Sequence, residues 1–127
     1  MNDEERNHHE IMNAFLRLMK LAMFDAEKAY KCVFGDKNKY LDQPNPTALS
    51  YVATMMAKCC AAQSIFYSNL HILDHSELRS LFAQFNNFAQ ELQNNFAEDH
   101  SHQWSGIEFD RLEQEFNNSV CAQSIQE

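Results

Sequence analysis

From Gln43 to Leu73 the chain carries a single formal charge, Lys58, in thirty-one residues, with Asp42 and Asp74 at its edges. Two adjoining apolar stripes run through this stretch at helical spacing. One is Ala48, Val52, Met55, Cys59, Ala62, Phe66 and Leu70; the other is Leu49, Ala53, Met56, Cys60, Gln63 and Tyr67. The remaining face, Ser50, Thr54, Ala57, Ala61, Ser64 and Ser68, is made of small residues that allow a neighbouring helix to come close. Asn45-Pro46-Thr47 reads as a helix start, with Asn45 as the cap and Pro46 in the first helical position, where its missing N–H costs nothing. The expectation is a mostly buried second helix.

The flanking segments are amphipathic. The first helix is predicted from about Asp3 to Phe34, with Ile11, Phe15, Leu18, Ala22, Ala26, Ala29 and Val33 recurring along one face. Asp3, Glu4 and Glu5 complement the positive end of its dipole, Lys28 and Lys31 the negative end, and Gly35 supplies the C-terminal cap. Asp74-His75-Ser76-Glu77 has the spacing of a capping box. A third helix follows to about Asp99 on the stripe Leu78, Leu81, Phe82, Phe85, Phe88, Leu92 and Phe96, and its outer face is dense in amides, Gln84 to Asn95. His100 to Gly106 reads as a break. Ile107 to Ala122 forms the fourth helix, with Phe109, Leu112, Phe116 and Val120 on one side. Long helices joined by short connections favour antiparallel neighbours. The expected fold is all-α: one helical domain over residues 1–127, an up-down-up-down four-helix bundle with a mostly buried second helix.

Length and composition agree with this. A chain of 127 residues with 45% hydrophobic content buries a core without disulfides or metal. Only two glycines and two prolines occur, too few turn residues for many short strands. The four cysteines show no zinc-finger spacing, and three of them fall within apolar stripes. Met-Asn-Asp-Glu-Glu has neither the basic nor the apolar region of a signal peptide, and the central segment is too rich in Ser, Thr, Gln and Asn for a membrane span. A cytoplasmic protein with reduced thiols and no membrane association is expected.

Few groups invite chemistry. An up-down bundle brings His8 and His9 near His71 and His75, and Glu5-Arg6-Asn7-His8 matches the Glu-x-x-His unit of di-iron bundles. That unit occurs once, however, and no inward-facing Glu sits in the middle of the second helix. His100 and His102, with Glu98 and Asp99, read as a solvated turn. No nucleophile, base and orienting group are marked together, and Cys59 and Cys60 sit among apolar neighbours where thiols are inert. The expectation is no enzyme, no cofactor, no catalytic residue and no metal ligand.

Charge is more informative. The net charge is −8 and the isoelectric point is about 5.1. Phosphate neutralisation requires the opposite sign, so direct nucleic-acid binding is disfavoured and a basic protein partner is favoured, such as a nuclease or other nucleic-acid-binding protein. Residues 17 to 39 hold six basic against three acidic groups, whereas residues 98 to 115 hold six acids against Arg111 alone. Glu98, Asp99, Trp104, Glu108, Asp110, Glu113 and Glu115 are therefore the candidate protein-binding residues. Trp104 is read either as an interface anchor or as a plug at the end of the bundle. The leading expectation is a small acidic protein-binding module, an inhibitor, immunity protein or antitoxin that masks a basic functional surface. The alternative is a self-associating scaffold or regulatory subunit, and a weaker one is a metal-binding bundle. A monomer fits the first reading and a homodimer the second.

Overall fold

In the computed structural model, which describes residues 2–35, 41–98 and 101–122, the first helix, α1, spans Asp3–Phe34. Its start is set by Asn2, whose Oδ1 accepts from the Glu5 N–H at 2.8 Å. Its end is set by Gly35, whose φ of 69° lies in the left-handed region that glycine enters without a Cβ clash. Helix α2 spans Ala48–Ser68. Asn45 Oδ1 accepts from the Thr47 N–H one turn before it, so Asn45-Pro46-Thr47 is the entry turn and the helix proper starts at Ala48. Asn69 interrupts the helix at φ −139°, ψ 42°, and donates Nδ2 to Ile65 O at 2.9 Å. A single further turn, α3, covers Leu70–Leu73.

Helix α4 spans Glu77–Ala97 and α5 spans Gln103–Asn117, followed by a 3₁₀ turn at Val120–Ala122. The capping box expected at Asp74–Glu77 does not form. Glu77 Oε1 instead accepts from the Val120 N–H at 3.3 Å, tying the 3₁₀ turn to the start of α4. Helix α5 begins before Gly106, not after it. A side chain at Gly106 would place its Cβ 2.9 Å from Phe34 Cζ. The glycine therefore makes room for the ring and is not a break.

The described residues are all helical or irregular, without a strand, and form a helical bundle. The most extensive pairing is α1 with α2, then α4 with α5; α2 also meets α4, and α1 meets α5. Among the described residues no Cα–Cα approach within 8 Å joins α1 to α4 or α2 to α5. Two aromatic groups fill the interior. Phe15, Phe66 and Phe82 meet from three helices, with centroids 5.6–6.4 Å apart. Further along, Tyr30 is stacked between Phe34 at 4.6 Å and Phe109 at 4.3 Å, and Phe88 meets Phe109 edge-on at 5.6 Å. Burial pushes the thiols of Cys59 and Cys121 up to about 12.

The second helix is not mostly buried. Only the stripe Ala48, Val52, Met55, Cys59, Ala62 and Phe66 is covered. From the second stripe, Leu49, Ala53, Cys60 and Tyr67 are exposed and Met56 is half-buried, and the whole small-residue face is exposed. The physical reason is that lack of charge does not require burial. Apolar atoms make up more than half of a folded protein's surface, and a bundle of this size covers one face of each helix. The one charge of α2, Lys58, turns toward α1, where Nζ pairs with Oδ2 of the buried Asp25.

Candidate protein-binding surface

The predicted acidic residues are built on α5, whose buried stripe is Ser105, Phe109, Leu112 and Phe116. At about 100° per residue, the acids fall on both flanks of that stripe. Glu108 and Glu115 face α4. Gln84 Nε2 donates to Glu108 Oε2 at 2.7 Å and to Glu108 O at 3.0 Å, and Ser80 Oγ donates to Glu115 Oε1 at 3.2 Å. Arg111 Nη1 adds a contact to Glu108 Oε1 at 3.1 Å. Asp110 and Glu113 are exposed on the other flank, toward α1. Burial first, and then the charges of Asp110 and Glu113, hold the Tyr30 hydroxyl above its ordinary value of 10.0. Burial and then Glu113 likewise raise the Glu27 carboxyl, against a smaller lowering by Lys31.

The seven candidates are thus not one patch. Trp104, Glu108 and Glu115 line the α4 side of α5, and Asp110 and Glu113 line the α1 side. Glu98 is exposed at the C-terminus of α4, and Asp99 lies outside the described residues. The two readings of Trp104 separate. It stands in the first turn of α5, not in a loop, and is 59% exposed. The end of the bundle is filled instead by His102, which is buried with its ring 4.7 Å from Phe96, and by Phe34 against Gly106. His102 is therefore no solvated-turn residue. An open groove of about 530 Å³ lies between α1 and α5, lined by Tyr30, Phe34, Gln103, Ile107 and Asp110 among others.

The amide face of α4 also divides. Gln84 is buried through its bonds to Glu108, and Asn95 is 1% exposed with Nδ2 donating to Glu91 Oε1 at 3.1 Å. Asn86, Gln90, Gln93 and Asn94 point outward. At the other end of the bundle His8 and His71 do meet, with ring centroids 6.0 Å apart, and His75 Nδ1 lies 4.0 Å from Glu77 Oε1. His9 is exposed. Among the described residues no three His, Cys, Asp or Glu side chains group in a way that would hold a metal ion. No helix among them is long and apolar enough to cross a membrane.

Sequence reasoning missed the Gln84–Glu108 clasp and the Asp25–Lys58 pair. A signal existed for the second: Asp25 falls between Ala22, Ala26 and Ala29 on the apolar face of α1, and an acid there needs a partner. The chain matches no family model, no curated protein and no solved structure.

Proposed function

We propose that the protein is a stoichiometric protein-binding module that masks a basic functional surface of its partner, in the manner of an inhibitor, immunity protein or antitoxin, through the outer side of α5. The observation that supports this reading is the single tryptophan, 59% exposed in the first turn of a helix that carries carboxylates on both of its flanks. A large apolar side chain held in water at the edge of acidic groups is what an anchor for a basic partner requires: charge speeds encounter, and the ring slows escape. The same reading places the module in the cytoplasm, without an enzyme's machinery or direct nucleic-acid contact. It also takes the bundle as up-down-up-down, because helices joined by short connections are neighbours and the diagonal pairs are not.

The test is affinity capture from the source cells with immobilised wild type and Trp104→Ala side by side, after circular dichroism shows both folded. The expected result is a basic protein held at a one-to-one ratio, released by moderate salt and lost from the variant. If both forms retain the same proteins in the same amounts, the α5 surface is not the interface.

A further inference from the structure

Helix α2 carries the least charge of the long helices, and one long side of it faces water. Leu49, Ala53, Cys60 and Tyr67 stand at i, i+4, i+11 and i+18, share a face and are exposed, Tyr67 to 57%; Met56 lies half-buried between them. Lys58 is turned away into its pair with Asp25. A chain of net charge −8 thus presents a strip about 30 Å long with no formal charge.

We infer that this strip is the contact between two copies of the chain, packed antiparallel about a twofold axis at the middle of α2. The charge pattern selects the occupant. Two chains of −8 repel wherever their acids approach, and an uncharged face lets them meet without like charges opposed or ions stripped of water. A basic partner gains nothing from a face without charge, since steering needs the opposite sign.

The strip is also matched to its own reversal. Turning α2 about position 58 sets Leu49 against Tyr67 of the second copy, Met56 against Cys60, and Ala53 against Gln63, while Ala57 beside the axis lets the backbones approach. A strip about 30 Å by 10 Å supplies well under the roughly 800 Å² per partner of a standard interface. The exposed amides Asn86, Gln90 and Gln93 extend it. They lie at helical spacing from Arg79 and Phe82, the α4 residues that meet Phe66 of α2. The exposed Arg79 therefore stands at one edge of the extended face, and the twofold sets its two copies at opposite ends, where they do not oppose each other. The dimer is accordingly of the small, reversible kind. Because α2 and α5 are not neighbours among the described residues, pairing through α2 leaves Trp104 open. This inference therefore stands apart from the proposed function.

The experiment is sedimentation velocity of the full chain over roughly 1 to 100 µM, where an interface of this size dissociates. Wild type is expected to pass from monomer to dimer over that range. Ala57→Glu, an exposed helical substitution, should raise the dimer dissociation constant about tenfold or more by opposing like charges near the axis, and Trp104→Ala should leave it unchanged. A short bis-maleimide should link wild type into covalent dimers and fail to link Cys60→Ser. Four outcomes overturn the proposal: a wild type that stays monomeric throughout, an Ala57→Glu variant that is folded and dimerises like wild type, a Trp104→Ala variant that no longer dimerises, or cross-linking that survives Cys60→Ser. A monomeric wild type whose capture of another protein is lost in Ala57→Glu would assign the strip to that protein instead.

Discussion

Lys58 Nζ lies 2.5 Å from Asp25 Oδ2, so the only charge of α2 is spent inside the α1–α2 contact. The pair is asymmetric: the Asp25 side chain is 9% exposed and that of Lys58 is 31%. Removing the lysine leaves a carboxylate with little access to water, whereas removing the aspartate leaves an ammonium that can swing out. Lys58→Met should therefore cost about 3 kcal/mol and Asp25→Ala about 1 kcal/mol, with the double variant recovering most of the larger loss. Urea unfolding of the four proteins measures this. Equal losses for the two single variants would contradict the asymmetry.

Met55 and Met56 are chain neighbours that test which stripe of α2 is core. Met55 is fully buried and Met56 half-buried. Met55→Asp should cost about 4 kcal/mol, because an unpaired carboxylate enters the interior, and Met56→Asp about 1 kcal/mol. Thermal unfolding of both variants in one buffer separates them.

Gly106→Ala sets helix propensity against packing. In a helix interior alanine normally gains about 1 kcal/mol over glycine. Here the new methyl meets Phe34 Cζ at 2.9 Å, and that ring is stacked on Tyr30. A net loss of about 1 kcal/mol is expected, turning to a gain in a Phe34→Leu background, where the ring edge is gone. Denaturation midpoints of the three variants decide the sign.

Glu27 gives stability a pH dependence of unusual direction for a carboxylate. Burial first, and then Glu113, raise its pKa above the ordinary 4.5. The folded state thus holds this proton more tightly than the unfolded chain, so the ionised form opposes folding at neutral pH, and the penalty fades as pH falls through the raised value. Glu27→Gln should have a higher Tm than wild type at pH 7 and the same Tm near pH 4. A difference that persists at acid pH would point to packing instead.

On the proposed partner surface, Asp110 and Glu113 are cleaner probes than Glu108 and Glu115, which are bonded to α4. The double reversal Asp110→Lys, Glu113→Lys should slow association about tenfold at low salt and flatten its salt dependence, with dissociation little changed. Trp104→Ala should act the other way, raising the dissociation rate at a cost of about 2 kcal/mol. Surface plasmon resonance with the captured partner resolves the two rates.

Legibility followed the kind of signal each residue carries. Helix α1 runs over the expected Asp3–Phe34 because its acids, its basic end and Gly35 mark both ends independently. The stripe of α4, and Phe109, Leu112 and Phe116 on α5, are where apolar residues at helical spacing put them, but the expected helix to Ala122 stops at Asn117, and Val120 is buried from the 3₁₀ turn instead. Helix α2 misled because its residues carry no contrast: Cys59 and Cys60, or Met55 and Met56, look alike in composition and differ only in which helix lies beside them. Gly106 misled because a glycine that makes room for a ring reads the same as a glycine that ends a helix. The scatter of the acids of α5 over two flanks follows from 3.6 residues per turn. Their division between Gln84 and Ser80 on one side and Tyr30 on the other could be seen only once α5 was seated between α4 and α1.

Cys59 and Cys60 share a peptide bond and live in different solvents. A thiol reagent at neutral pH reaches Cys60 at once, while Cys59, buried and pushed up to about 12, reacts only when α2 lifts away from the core. The delay between single and double labelling of the α2 peptide that holds both thiols, and neither Cys32 nor Cys121, thus measures how often that helix opens under native conditions, a rate readable by mass spectrometry without denaturant or an added label site.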